Sequence, residues 1–128
     1  MTNDTMTFDT RGLGDILDAS DQEQLDRLDF GVIGFDADSN VQRYNVFESQ
    51  AAGLSPQRVI GEPLFTNVAP CLNNFLVAQR FEDAAEDGSE LDDTIDYVLT
   101  LRMRPIKVKL RLLASANSAT RYVLVQRR

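Results

Sequence analysis

The chain has 128 residues, 43% of them apolar, enough to bury one core without covalent staples. Twenty acidic against thirteen basic residues leave a formal charge of −7, which argues against nucleic acid and anionic membrane surfaces as partners. With no His and a single Cys, an internal disulfide, the usual Cys/His zinc sites and Ser–His or Cys–His catalytic pairs are excluded.

Residues 1–10 are polar and carry neither the basic nor the apolar stretch of a secretory signal. No apolar run approaches the roughly 18–20 residues that a membrane crossing needs, so a soluble, cytoplasmic protein is expected. Leu13, Ile16 and Leu17 recur at helical spacing, and Leu25 and Leu28 mark a second short helix that Ser20 or Asp21 can cap. Phe30–Phe35 reads as a strand and Val41–Asn45 as its neighbour, joined by the turn-forming DADSN. Gly31 and Gly34 within the first strand point to a bulge or a close backbone approach.

Val46–Leu54 is read as a helix ending near Gly53, and Ser55-Pro56 opens a short one through Ile60. VAPC at Val68–Cys71 is expected in an irregular loop stiffened by Pro70. Phe75–Asp87 is expected as a helix with Val77, Phe81, Ala84 and Ala85 on one face and Gly88 as its stop. The remainder reads as strands: Leu91–Met103, Ile106–Leu112 and Tyr122–Val125. Alternation within Arg102–Arg111 places its basic side chains on a solvated sheet face. The order predicts an α+β fold, a PAS-like five-stranded antiparallel sheet with helices on one face and an N-terminal helical cap.

Few residues can carry chemistry. Cys71 is the one soft nucleophile; a lone Cys is commonly an inert core residue, but this one follows Pro70 in a loop. Tyr44 and Glu48 are four apart across a helix entry, consistent with a surface pair or with a buried one. Apolar neighbours and the absence of a nearby Lys or Arg favour burial. A carboxyl buried without a cation is held neutral by desolvation, and a neutral Glu beside a Tyr offers two donors to a buried oxyanion. Asp36, Asp38, Asp92, Asp93 and Asp96 lack the spacing and central Gly of a calcium loop.

The segments QLDRLDFGVI, DADSNVQRYN, YN-x-x-E at Tyr44–Glu48, VIGEPLFTNVAPC and RPIKVKL together resemble the photoactive yellow protein family, over about Gln24 to Val125. The resemblance implies a non-enzymatic blue-light photoreceptor with 4-hydroxycinnamic acid (p-coumaric acid) bound to Cys71 as a thioester. It implies that Tyr44 and Glu48 donate to the phenolate, that the Cys71 N–H bonds the thioester carbonyl, and that Ile33, Leu64, Val68, Ala69, Leu99 and Met103 line the pocket. Light-driven trans–cis isomerisation and proton transfer from Glu48 would then loosen the structure, chiefly the cap. Residues 1–28 would be that cap and 29–128 a PAS core, together one photosensory domain.

This chain departs from the family pattern at Ala52, where a Thr usually supports the Tyr, and at Leu54, where an Arg usually covers the pocket. Leu64 and Leu101 stand where aromatics are often found, so colour and rate should be its own. Met103 matches a position that speeds return to the dark state. The alternative is a chromophore-less PAS module for protein interaction or ligand sensing; haem lacks an axial His, and an enzyme built on Glu48 lacks a second catalytic group. Output is expected through an unidentified downstream signalling protein.

Overall fold

The computed structural model describes residues 6–100 and 105–127. Its elements in chain order are α1 (Leu13–Ala19), α2 (Gln22–Asp26), β1 (Gly31–Phe35), β2 (Val41–Tyr44), α3 (Val46–Ala52), α4 (Pro56–Val59), α5 (Ala78–Asp87), β3 (Leu91–Leu99), β4 (Ile106–Ala114) and β5 (Arg121–Gln126). The strands form one antiparallel sheet in the order β2-β1-β5-β4-β3. The α+β, PAS-like arrangement expected from the element order is therefore the one observed.

Local chemistry explains the boundaries. Asp21 and Gln24 form a reciprocal capping box on α2, each side chain accepting from the other's backbone N–H at 2.9 and 2.8 Å. Ser20, the other candidate cap, instead donates to the Ile16 carbonyl at 2.7 Å as α1 ends. Asn45 caps α3, and Gly53 ends it at φ 75°, a left-handed conformation that costs glycine little.

Two expectations for the middle of the chain need correction. The VAPC region is not an irregular loop but one turn of π-helix at Leu64–Val68 followed by a 3-10 turn at Pro70–Leu72. Helix α5 begins at Ala78, not Phe75, because Asn74 folds back and its side-chain oxygen accepts from the N–H groups of Leu76 and Val77 at 3.0 and 3.2 Å. Phe75 is left 75% exposed, and Ala85 is exposed while Val77, Phe81 and Ala84 are buried.

The sheet separates two cores. On one face Ile33, Phe35, Val41, Tyr44, Leu64, Val68, Leu72, Phe81 and Leu110 pack with the helices, and Phe35 meets Phe81 edge-on at 4.9 Å. On the other, Leu13, Leu17, Leu25 and Phe8 of the cap cover Phe30, Val32, Leu113 and Leu124. The basic alternation in β4 holds for exposed Lys107 and Lys109 but fails at Arg111, which is 5% exposed. Its guanidinium reaches the carbonyls of Phe8 and Thr10 at 2.9 and 2.8 Å and pairs with Asp92, pinning the start of the cap to the sheet. A basic side chain facing a covering layer is retained where carbonyls and a carboxylate take up its donors.

Candidate functional site

The helical face of the sheet contains a narrow cavity lined by Ile33, Tyr44, Glu48, Ala52, Leu54, Val68, Ala69, Leu72, Leu99 and Val125. The strand end at Tyr44 and the first turn of α3 bring Tyr44 and Glu48 together, each 1% exposed. Ile33, Ala52, Val68, Ala69 and Leu99, singled out in the sequence, share this lining. Leu64 is fully buried in the same core but does not line the cavity. Leu101 and Met103 lie outside the described residues. Leu72 and Val125 are lining residues that the sequence reading missed; the continuous apolar run Tyr122–Val125, buried throughout in the last strand, was the available signal for Val125.

Glu48 is closely seated against β1. A Cβ on Gly31 would stand 2.0 Å from its Oε1, so only glycine leaves room for the carboxyl there. The close approach expected at Gly31 is thus met by Glu48 itself, and the bulge expected in this strand falls between Gly34 and Phe35.

The expectation that Glu48 has no cation nearby is wrong. Arg127 donates through Nη1 to Oε1 at 2.7 Å and through Nη2 to Oε2 at 3.0 Å, a bidentate pair with side chains 14% and 2% exposed. Seventy-nine positions separate the two residues, and only the adjacency of β1 and β5 brings them together. Burial opposes the charge of Arg127, but hydrogen bonding and the field of Glu48 outweigh it and hold the guanidinium above its usual value. Its Nε is buried with no partner among the described residues. The Tyr44 hydroxyl is pushed well above the usual tyrosine value by burial and by the adjacent Glu48 charge, against a smaller lowering by Arg127. Tyr44 therefore stays a donor across the physiological range.

Cys71 is half-buried and packs against the same core from the 3-10 turn. Its carbonyl is held from β3: the Tyr97 hydroxyl donates to it at 2.5 Å and Asn74 Nδ2 at 3.3 Å, while Asn74 also donates to the Tyr97 oxygen at 2.6 Å. Tyr97 was read from the sequence only as part of an alternating strand. Pairing β3 on β4 turns it toward the Cys71 loop.

Asn45 joins this site to the cap. Fully buried, its oxygen accepts from Val32 and Glu48 N–H at 3.0 and 3.1 Å, and its amide donates to the Leu25 and Phe30 carbonyls at 2.9 and 3.0 Å.

Comparison with known proteins gives the family and the fold. The chain is 33% identical over 104 residues, 81% of its length and 82% of the relative's, to the photoactive yellow protein of Rhodothalassium salexigens. The chain belongs to the photoactive yellow protein family. Among solved structures, it is similar to the photoactive yellow protein domain of the sensor histidine kinase Ppr from Rhodospirillum centenum, with a TM-score of 0.80 and 33% identity over 88% of this chain and 98% of that one. The PAS domain of the Cronobacter turicensis quorum-sensing receptor RpfR shares the fold at a TM-score of 0.60 and 18% identity, covering 77% and 93% of the two chains. No family model matches. As a photoactive yellow protein relative the chain is a PAS photoreceptor of sensory signalling, a class that is generally non-enzymatic. No described helix is long and apolar enough to cross a membrane.

Proposed function

We propose that this member of the photoactive yellow protein family senses blue light through a 4-hydroxycinnamoyl group held as a thioester on Cys71. The observation that carries the reading is the shared cavity. Tyr44 and Glu48, the two groups able to donate to a buried phenolate, line it together with the apolar side chains of Ile33, Val68, Ala69 and Leu99.

The donor set fits the group. Cys71, half-buried, does not itself line the cavity but lies three residues beyond Val68 of the lining, with its backbone fixed by Tyr97 and Asn74. The cavity's free space is about 10 Å³, room for about one water, so acylation requires its walls to part. When bound, the group supplies visible absorption and a double bond that light isomerises.

The chain's own residues do the rest. Cys71 Sγ anchors the acyl end. Tyr44 Oη–H donates at the phenolate end, and its raised value keeps that proton in place. With the group bound, the Glu48 carboxyl would turn from Arg127 to donate a proton toward the phenolate end, and it is the residue placed to give that proton up. Apolar walls exclude water, which strengthens each of these bonds. Asn45 links the Glu48 backbone to α2 of the cap, giving a change at Glu48 a route out of the pocket. The relation to a domain of a sensor histidine kinase supports output through a signalling partner, and the charge of −7 supports neither nucleic acid nor an anionic membrane as that partner.

The test is reconstitution with an activated 4-hydroxycinnamic ester, followed by visible spectra before and after blue light. A yellow, reversibly bleaching protein is expected, with no colour in Cys71→Ala. Glu48→Gln is expected to move the band to the red, because the weaker donor leaves more charge to delocalise along the chromophore. A coloured Cys71→Ala protein would refute attachment at Cys71, and an unmoved band in Glu48→Gln would remove Glu48 from the phenolate.

A further inference from the structure

Arg127 follows β5 immediately, two residues beyond the cavity-lining Val125, and closes on both oxygens of a carboxylate seated against Gly31. A protonated carboxyl that donates into the cavity cannot also accept from a guanidinium through both oxygens with equal strength, because one oxygen carries the proton. The bidentate geometry is therefore that of Glu48 after its proton has gone. Strands β1 and β5 and helix α3 pack around Glu48, and the charged or ionisable groups facing it among the described residues are Arg127 and Tyr44. Tyr44 keeps its proton, which leaves Arg127 to balance a carboxylate there.

We propose that Arg127 is the resident counter-ion that receives the Glu48 carboxylate when light drives its proton to the phenolate, so that the new charge is taken up at the C-terminal end of β5. This rests on the reading of Glu48 as the proton source. The transfer breaks the O–H bond at Glu48 and forms one at the phenolate oxygen; one negative charge moves from the phenolate to Glu48 and no electrons are gained or lost. A buried carboxylate formed beside no cation would force the structure open. Here the cation is in reach, and the consequence is a change of partner at Glu48 that pulls on β5. Arg127 acts through Glu48, so it is a positioning residue.

The experiment compares full-length wild type, Arg127→Gln, Arg127→Lys and the Arg127→Gln/Glu48→Gln double variant, each verified as folded by circular dichroism. Without chromophore, at neutral pH, infrared spectra of Arg127→Gln should gain the C=O stretch of a protonated carboxyl that the double variant lacks, and Arg127→Lys should restore the wild-type spectrum. With chromophore, loss of the counter-ion should speed dark recovery about tenfold or more, with Arg127→Lys in between. A yellow, bleaching Arg127→Gln protein with wild-type carboxyl bands and recovery would overturn the proposal and leave the photoreceptor reading standing. A wild type that never takes colour would overturn that reading, and the proposal with it, whatever the carboxyl bands show.

Discussion

The two faces of the sheet are held by different means. The cap face combines an apolar layer with directional polar anchors. Arg111 spans Phe8, Thr10 and Asp92, and Arg43 donates to the Leu17 and Ser20 carbonyls, while the Tyr122 hydroxyl donates to Asp18 at 2.7 Å. The pocket face relies on packing of Phe35, Phe65 and Phe81 and keeps its polar groups in two small sets, one around Glu48 and a part-buried one of Tyr97 and Asn74 at the Cys71 carbonyl. Apolar packing is non-directional and tolerates small adjustments, whereas a set of carbonyl-directed hydrogen bonds is made or lost as a unit. A pocket whose walls must part suits the first kind.

The strongest way to break this contrast is at the junction. Asn45→Ala removes four hydrogen bonds that no water can replace in a fully buried position and deprives α3 of its cap. It should cost about 3–4 kcal/mol in urea unfolding, from unsatisfied buried groups and the lost cap together. A loss below about 1 kcal/mol would show that cap and pocket are not joined there.

A smaller effect is expected from alkali. Burial, then the hydrogen bond to Asp18, push the Tyr122 hydroxyl from 10.0 up to about 12. The folded state thus retains a proton that the unfolded state releases first. The stabilisation is fully present below pH 10 and is lost as pH rises toward about 12. Tyr44 shifts in the same direction, so both faces should weaken together. Denaturation midpoints between pH 9 and 12 in wild type and Tyr122→Phe check this: the variant should lose stability less steeply.

The smallest effect belongs to the exposed edge. Lys109 and Asp96 pair at 2.8 Å across β4 and β3, and each shifts the other in the direction that favours its charge. Their solvent-exposed geometry predicts no measurable change in Tm for Lys109→Ala. A clear drop would mean that the β3 edge, and not only the cap, is held by polar contacts.

Much of the fold was legible because its signals are local. Caps at Asp21 and Gly53, the stop at Gly88 and the strand periods all act within about a turn or a few residues, the range over which backbone rules operate. The start of α5 escaped because Asn74, which folds back on the chain, outweighs an apolar run that continues through Phe75 and Leu76. The proximity of Tyr44 and Glu48, and the tight approach at Gly31, also followed from spacing and strand context.

What the sequence by itself determined is the order of elements, the family motifs and the few side chains with any chemistry to offer. Tertiary structure alone decided which charges those side chains meet. Arg127 reaches Glu48 because β5 lies beside β1, Arg111 is buried because Phe8 and Thr10 fold over β4, and Tyr97 holds Cys71 because β3 borders the loop. Electrostatic partners are chosen by distance in space, and no periodicity along the chain encodes the order in which strands come together.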